Sequence, residues 1–389
     1  MDFNYTQEQQ MLADTVERFV ADSYSLEVRR QLAASEHGFS HEYWQQFADL
    51  GLLGLVVPEQ YGGLGGSAVE TLIVMQEVGR GLVLEPYWSS AVVAARLIDF
   101  VGTAGQKSDW LKLIAAGTRR LALATYEPQA RFDLYDIRSR AEHTPKGYRL
   151  SGRKAVVFDG GGADALVVSA RTGGGDSDRH GITLFLVDAT SPGVTVESFP
   201  NIDGRRSAEV RLTDVMVGSD AVLGSVDAGD EPLDYAVDVG LAALCAEAVG
   251  CMERLIALTA GHLRERRQFG RQIGTFQALQ HRVAEMAIAT EQARSGALFA
   301  AARVDEMDSR ARRRAISAAK AIVGRSGRSV GQLAVQLHGG MGMTDELAVG
   351  HYFKRLTCID MTWGDSDHHT ELFGDLLLSP SQHPAGVSA

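Results

Sequence analysis

An α+β chain in three parts, helical, then strand-rich, then helical again, is what this sequence of 389 residues predicts. Three observations carry the prediction. Apolar residues recur at helical spacing through 1–119. Short β-branched and aromatic runs separated by glycine clusters fill 120–228. Helical spacing then returns over 229–378. The polar tail, 379–389, reads as disordered.

Taken in order, Thr6 followed by Gln9 is a capping-box pattern, and Leu12, Val16, Phe19 and Val20 continue it as a helix. Helical segments follow around Trp44–Leu53, Val69–Val83 and Ser89–Phe100. The glycine-rich stretch 51–66 between them reads as a connection, because its spacing is not that of a dinucleotide fingerprint. Strands are predicted at Leu121–Thr125, Tyr148–Leu150, Ala155–Phe158, Ala165–Ser169, Thr183–Val187, Val194–Phe199 and Glu209–Val217. With no helix between them, they predict a small antiparallel barrel or sandwich. The cluster Thr172–Asp178 reads as an exposed hairpin loop. Leu233–Ala260 is apolar on all sides, the mark of a helix buried between others, and helices at Gln277–Arg303 and Ala311–Gln336 follow it.

Composition narrows the function. Hydrophobic residues are 45% and charged residues 22%, as in folded globular proteins. Lys+Arg number 38 against 49 Asp+Glu, a net charge of −11, which argues against nucleic acid as a partner. Cys245, Cys251 and Cys358 lack ligand spacing, so no metal is expected. No apolar run reaches about 18 residues, so no membrane span is expected. The first residues lack a basic segment and an apolar one, which predicts a cytoplasmic protein without a removed leader.

Four segments carry a resemblance: Val57–Gly65, Tyr126–Pro128, Arg266–Gln277 (with its Arg-x-x-Phe-Gly…Phe-Gln pattern) and Gln336–Gly342. Together they resemble the acyl-CoA dehydrogenase family, in order and over roughly Phe3 to Phe373. The resemblance implies that family's fold, an N-terminal helical domain, a middle β domain and a C-terminal four-helix bundle. It also implies an FAD flavoprotein that oxidises the Cα–Cβ bond of an acyl-CoA thioester and passes electrons to an electron-transferring flavoprotein. FAD lies at a subunit interface in that family, so the expected assembly is a homotetramer, or a heterotetramer with a paralogous subunit. Residues matching the family's cofactor contacts are Arg266, Phe269, Gln277, Gln336, Gly339 and Gly340. A forked guanidinium and side-chain-free backbone suit a diphosphate.

The chemistry-bearing positions depart from the family. Proton removal α to a thioester needs a placed carboxylate. The two positions where the family carries it hold Trp363 and Gly240 here. Asp365, two residues beyond Trp363, is the candidate catalytic base, with Asp367 and then Asp238 behind it; Glu247 is expected to be half of a structural ion pair. The family's flavin-side aromatic and threonine are replaced by Val156 and Phe158, and an arginine of the long helix by Leu241. Such losses resemble the small subunits of paired acyl-CoA dehydrogenases, a branch associated with pimeloyl-CoA and steroid side chains. In paired enzymes one subunit type can lack a working site. The alternative expectation is therefore a non-catalytic subunit that completes a paralogue's FAD site, and a weaker one is a flavin oxidase on the same fold. His368–His369 is not expected to bind metal, and Arg310–Arg314 reads as a solvated helix start.

Overall fold

The computed structural model describes residues 5–378; the expected disordered tail and the first four residues of the N-terminus lie outside the described residues. Helix α1, Gln7–Ser23, begins at the capping box: Gln9 N–H donates to Thr6 Oγ1 at 3.2 Å and Thr6 N–H to Gln9 Oε1 at 3.0 Å. Helices α2 (Leu26–Ala34), α3 (His41–Asp49) and α4 (Ala68–Gly81) follow, each opened by a serine whose hydroxyl accepts a backbone N–H. The glycine-rich stretch is a connection carrying two short turns, Leu52–Gly54 and Glu59–Tyr61. The helix expected over Ser89–Phe100 is split. Tyr87–Ala94 is π-helical and buried at every position, and α5, Ala95–Val101, continues it, with α6, Ala104–Ala115, after a turn.

The strand region forms β1 (Leu121–Ala124), β2 (Arg140–Thr144), β3 (Gly147–Phe158), β4 (Ala165–Arg171), β5 (Ile182–Asp188), β6 (Val194–Pro200), β7 (Arg206–Val217) and β8 (Val222–Leu223). They make one sheet in the order β6-β7-β3-β2-β4-β5-β8, with β1 added on β4. Pairing is antiparallel except for β1 and β2 against β4, a departure from the all-antiparallel expectation. The two strands expected at Tyr148–Leu150 and Ala155–Phe158 are the ends of one long β3, whose register breaks between Lys154 and Val157. Strand alternation divides the apolar residues between two cores: Ala122, Leu166 and Val168 face the β domain's own core, while Leu121, Leu123, Ala165 and Val167 join the core shared with the helices. That second face ties the sheet to the bundle.

Helix α7, Asp230–Glu265, has 36 residues and so runs about 54 Å. A short hairpin of β9 (Arg267–Gln268) and β10 (Arg271–Gln272) leads to α8 (Gln277–Arg303), α9 (Ser309–His338), α10 (Ala348–Met361) and α11 (Ser366–Leu378). Helix α4 crosses α7 in backbone contact: a Cβ on Gly250 would stand 1.8 Å from the Gln76 carbonyl oxygen, so only glycine permits this approach. Among the described residues no helix is long and apolar enough to cross a membrane.

One buried ion cluster joins the three domains. Arg355 of α10 grips Glu247 of α7 with two bonds, Nε and an Nη each 2.6 Å from a carboxylate oxygen. Its other Nη reaches Asp203 of the β6–β7 loop at 2.9 Å. Arg205 of the same loop adds a contact to Glu247 at 3.3 Å, and Arg29 of α2 donates to the Asp203 carbonyl. Burial alone would raise the Glu247 carboxyl, but Arg355 and Arg205 outweigh it and hold it below the usual range. Glu247 is thus the structural ion-pair partner expected of it. Glu247→Gln leaves two guanidiniums buried against a neutral amide. Chemical denaturation of that variant should show a loss of about 3–5 kcal/mol; a loss under about 1 kcal/mol would mean the cluster is not what joins the domains.

Candidate active-site cavity

A cavity of about 590 Å³ opens between the β domain and the bundle. Tyr126, Glu127 and Pro128 form one wall, and Ala155, Val156, Phe158 and Asp159 at the end of β3 form the next. Asp203 and Arg205 close a third side, with Leu244, Arg355, Cys358 and Thr362 from the helices opposite. Local structure explains these placements. The buried Lys154 ammonium holds Glu127 at 2.7 Å, and the Glu127 carboxylate accepts the N–H groups of Arg138 and Ser139 at 2.8 and 3.1 Å. Burial would raise Glu127, yet Lys154 brings it to about 2, so it is a charged anchor for the Tyr126–Pro128 turn. The register break in β3 sets Val156 at φ 38°, a left-handed conformation that a β-branched residue rarely adopts, and turns its side chain to the cavity.

The two positions at which the resemblance places a base meet in space. The Trp363 ring lies over Gly240 so closely that a Cβ there would stand 2.3 Å from it. Trp88 packs on the same ring, centroids 4.9 Å apart, and its Nε1 donates to the Gly240 carbonyl at 2.9 Å. Phe158 closes the group edge-on at 6.3 Å. Trp363 is itself in left-handed backbone, φ 52°, held by several bonds. Its N–H donates to the Tyr126 hydroxyl at 2.6 Å, and its carbonyl accepts from His369 Nε2 at 3.0 Å. A carbonyl only accepts, so Nε2 carries the hydrogen and Nδ1 is free to accept from Ser317 Oγ at 3.3 Å. Burial holds His369 far below its ordinary pKa, hence neutral. Buried Lys320, lowered by burial to about 8, donates to the carbonyls of Gly364 and Asp360 at 2.6 and 2.7 Å. The turn at which the resemblance places a base carries a clamped indole.

Asp365 does not reach this cavity. It precedes α11, where its Oδ1 accepts the N–H groups of His368 at 2.9 Å and Asp367 at 3.2 Å, and it lines a neighbouring polar cleft. Asp and Asn favour this capping position, and that preference draws the side chain toward the helix and away from the indole. Asp367 is exposed beside it. Asp238 is buried between Arg312 and Arg313 at 3.0 and 2.7 Å, paired on a different face of α7 from Gly240. Leu241 is core. Val156 and Phe158 do line the cavity.

The six cofactor candidates lie elsewhere, at one end of the bundle. His262 of α7 stacks on His338 of α9 at 4.4 Å, which brings Arg266, just after α7, to the same end as Gly339, just after α9. Arg266, Gln277, Gln336 and both glycines are exposed, and a Cβ on Gly339 or Gly340 would meet nothing within 4 Å. Phe269 is 89% exposed. None of the six lines the cavity. Trp88 and Asp159 line it without having been singled out: nothing near Trp88 marks it, and Asp159 reads as one more turn residue before three glycines. Among the described residues no group of three or more His, Cys, Asp or Glu side chains could hold a metal ion.

Comparison with known proteins agrees with this architecture. Residues 6–118, 122–215 and 234–378 match the N-terminal, middle and C-terminal domains of acyl-CoA dehydrogenases. Acyl-CoA dehydrogenase FadE27 of Mycobacterium tuberculosis is 31% identical over 91% of this chain and 92% of its own length. The caffeyl-CoA reductase-Etf complex subunit CarC of Acetobacterium woodii is 27% identical over 96% and 99%. In the solved ChsE4-ChsE5 complex from M. tuberculosis, one chain superposes with a TM-score of 0.88 at 28% identity, covering 98% of this chain and 100% of that one. The chain belongs to the acyl-CoA dehydrogenase family. Dehydrogenation of an acyl-CoA thioester is the oxidoreductase reaction in which it takes part.

The packing of Trp363 on Gly240 is testable. Gly240→Ala should destabilise the protein by about 1–3 kcal/mol through overpacking. Adding Trp363→Leu should recover part of that loss. Purely additive effects in the double-mutant cycle would show that the two positions do not touch.

Proposed function

We propose that this chain is the FAD-binding, base-less subunit of a paired acyl-CoA dehydrogenase whose paralogous subunit carries the catalytic carboxylate. The observation that carries the reading is the contact of Trp363 with Gly240. Both positions where the family keeps its base are taken, one by an indole and the other by a glycine beneath it. Two of the three carboxylates in the cavity wall are committed to cations. Glu127 is bound to Lys154 and Asp203 to Arg355, while Asp159 accepts from the Ser89 hydroxyl.

FAD, when bound, supplies the acceptor for the hydride that leaves the acyl chain. The residues present suit it in two places. Arg266 makes no ion pair among the described residues, and beside it lie the open glycines and the bare Phe269, a surface fit for a diphosphate and an adenine. The cavity offers aromatic walls for a flat ring system. These two places do not share a pocket, which favours a cofactor shared between two subunits. The kinship with CarC, a subunit of an Etf complex, favours an electron-transferring flavoprotein as the acceptor of electrons. The ChsE4-ChsE5 neighbour favours a hetero-oligomer. Within this chain Tyr126 and Trp88 fix the indole, and the indole excludes water and substrate from the base position.

Purified alone, the chain should be yellow, and its flavin should stay oxidised under anaerobic addition of acyl-CoA thioesters of varied chain length. Bleaching by any of them would mean that it carries its own base. A colourless preparation that takes up no added FAD would refute the flavin-binding half.

A further inference from the structure

A pair of histidines sits where α7 and α9 finish. His262 lies in the last turn of α7, and His338 is the last residue of α9. Their rings stack, with centroids 4.4 Å apart and planes 26° from parallel. The Arg266 N–H donates to the His262 carbonyl at 2.9 Å, which keeps Arg266 on the turn of His262. Gly339 and Gly340 follow His338 directly. The pair therefore stands beside both parts of the surface offered above to a diphosphate, the guanidinium and the open glycine backbone.

Hydrogen bonding fixes one ring and leaves the other open. His338 is buried, and its Nδ1 lies 2.8 Å from the Ala334 carbonyl; a carbonyl only accepts, so Nδ1 carries a hydrogen. His262 is half-buried, and neither of its ring nitrogens has a hydrogen-bond partner among the described residues. Histidines packed for structure alone bond their nitrogens to neighbours, as His338 and His369 do. His262 keeps its donor capacity unspent beside an unpaired arginine. Two stacked imidazoliums would repel each other, so the pair takes up one added proton and not two.

We propose that the stacked histidines are a proton-linked part of the diphosphate site: when a ligand diphosphate seats against Arg266 and Gly339–Gly340, His262 takes a proton from solvent and donates from its ring to a phosphate oxygen. The inference rests on the flavin reading above and deepens it. In the open site burial, His338 and Arg266 hold His262 below its ordinary pKa, with Glu265 opposing, so it is neutral at neutral pH. Those three side chains are the charged and titratable groups facing it, His338 from α9 and the other two from the end of α7. The loop 339–343 is Gly-Gly-Met-Gly-Met, and the turn Ile273–Thr275, packed on Leu263, is Ile-Gly-Thr; neither carries a charge. The hairpin adds Arg267 and Arg271, both exposed. A diphosphate offsets the positive charge of Arg266 and so removes the repulsion that keeps His262 neutral. Reciprocity fixes the sign: a ligand that raises the proton affinity of the pair binds more tightly as pH falls.

FAD suits the test, because both of its phosphates are esterified and neither titrates near neutrality. Titration calorimetry of the whole chain with FAD, in two buffers of different ionisation enthalpy, counts the protons directly. At neutral pH the parent should take up a fraction of one proton for each FAD bound. Its affinity should rise by up to about tenfold between about pH 8 and about pH 6. His262→Gln cannot take the proton, so it should lose that uptake and most of the pH dependence while matching the parent at the alkaline end. Any proton that buried acids of the cavity exchange is common to parent and variant, so the difference between them is the readout. No uptake by the parent, proton release, or the same uptake in His262→Gln overturns the proposal and leaves the flavin reading standing. A parent that binds no FAD overturns both.

Discussion

The two-bond grip of Arg355 on Glu247 is the interaction on which the arrangement depends. Glu247 sits in the middle of the longest helix, and Arg355 arrives from α10, so the pair fixes two bundle helices against each other. The remaining reach of the same guanidinium secures Asp203, and through it the β6–β7 loop and α2. A buried ion pair need not add net stability, because desolvating two charges offsets much of their attraction. Its effect is geometric. The cluster ties the three domains together in the placement that leaves the cavity, with Arg355, Arg205 and Asp203 as part of its wall.

On the opposite side the cavity is limited by a constraint of volume. Glycine at 240 is what lets the Trp363 ring lie where it does, and the two residues occupy the positions at which the family resemblance places a carboxylate. The left-handed backbone at Trp363 costs free energy, of order 1–3 kcal/mol. Tyr126, His369 and Lys320 hold it through backbone groups rather than through the indole.

Much of the fold was legible in the sequence because it is local. Thr6 and Gln9 announce α1, and the apolar run after Leu233 announces α7. Strand β2 was not legible: Arg140–Thr144 has no β-branched run and is a strand only because β3 pairs with it. The π-helical segment was hidden too, since burial on every side leaves no periodic face to read. At the site, motif spacing found Trp363 and Gly240 but could not say that they touch. Asp365 misled because nearness in sequence to Trp363 outweighed the capping preference of Asp before Ser366-Asp367-His368. The ion cluster draws Arg29, Asp203, Arg205, Glu247 and Arg355 from four distant segments, and no spacing rule connects them.

The most direct test of the central claim is a count of reducible flavin in the enzyme assembled from this chain and its paralogous partner. Total flavin is measured with a strong chemical reductant, and the fraction bleached by saturating acyl-CoA is measured anaerobically on the same sample. The account predicts that about half of the flavin responds to substrate, the half seated against the partner's carboxylate. Reduction of all of it by acyl-CoA would show that the cavity beside Trp363 performs the chemistry itself.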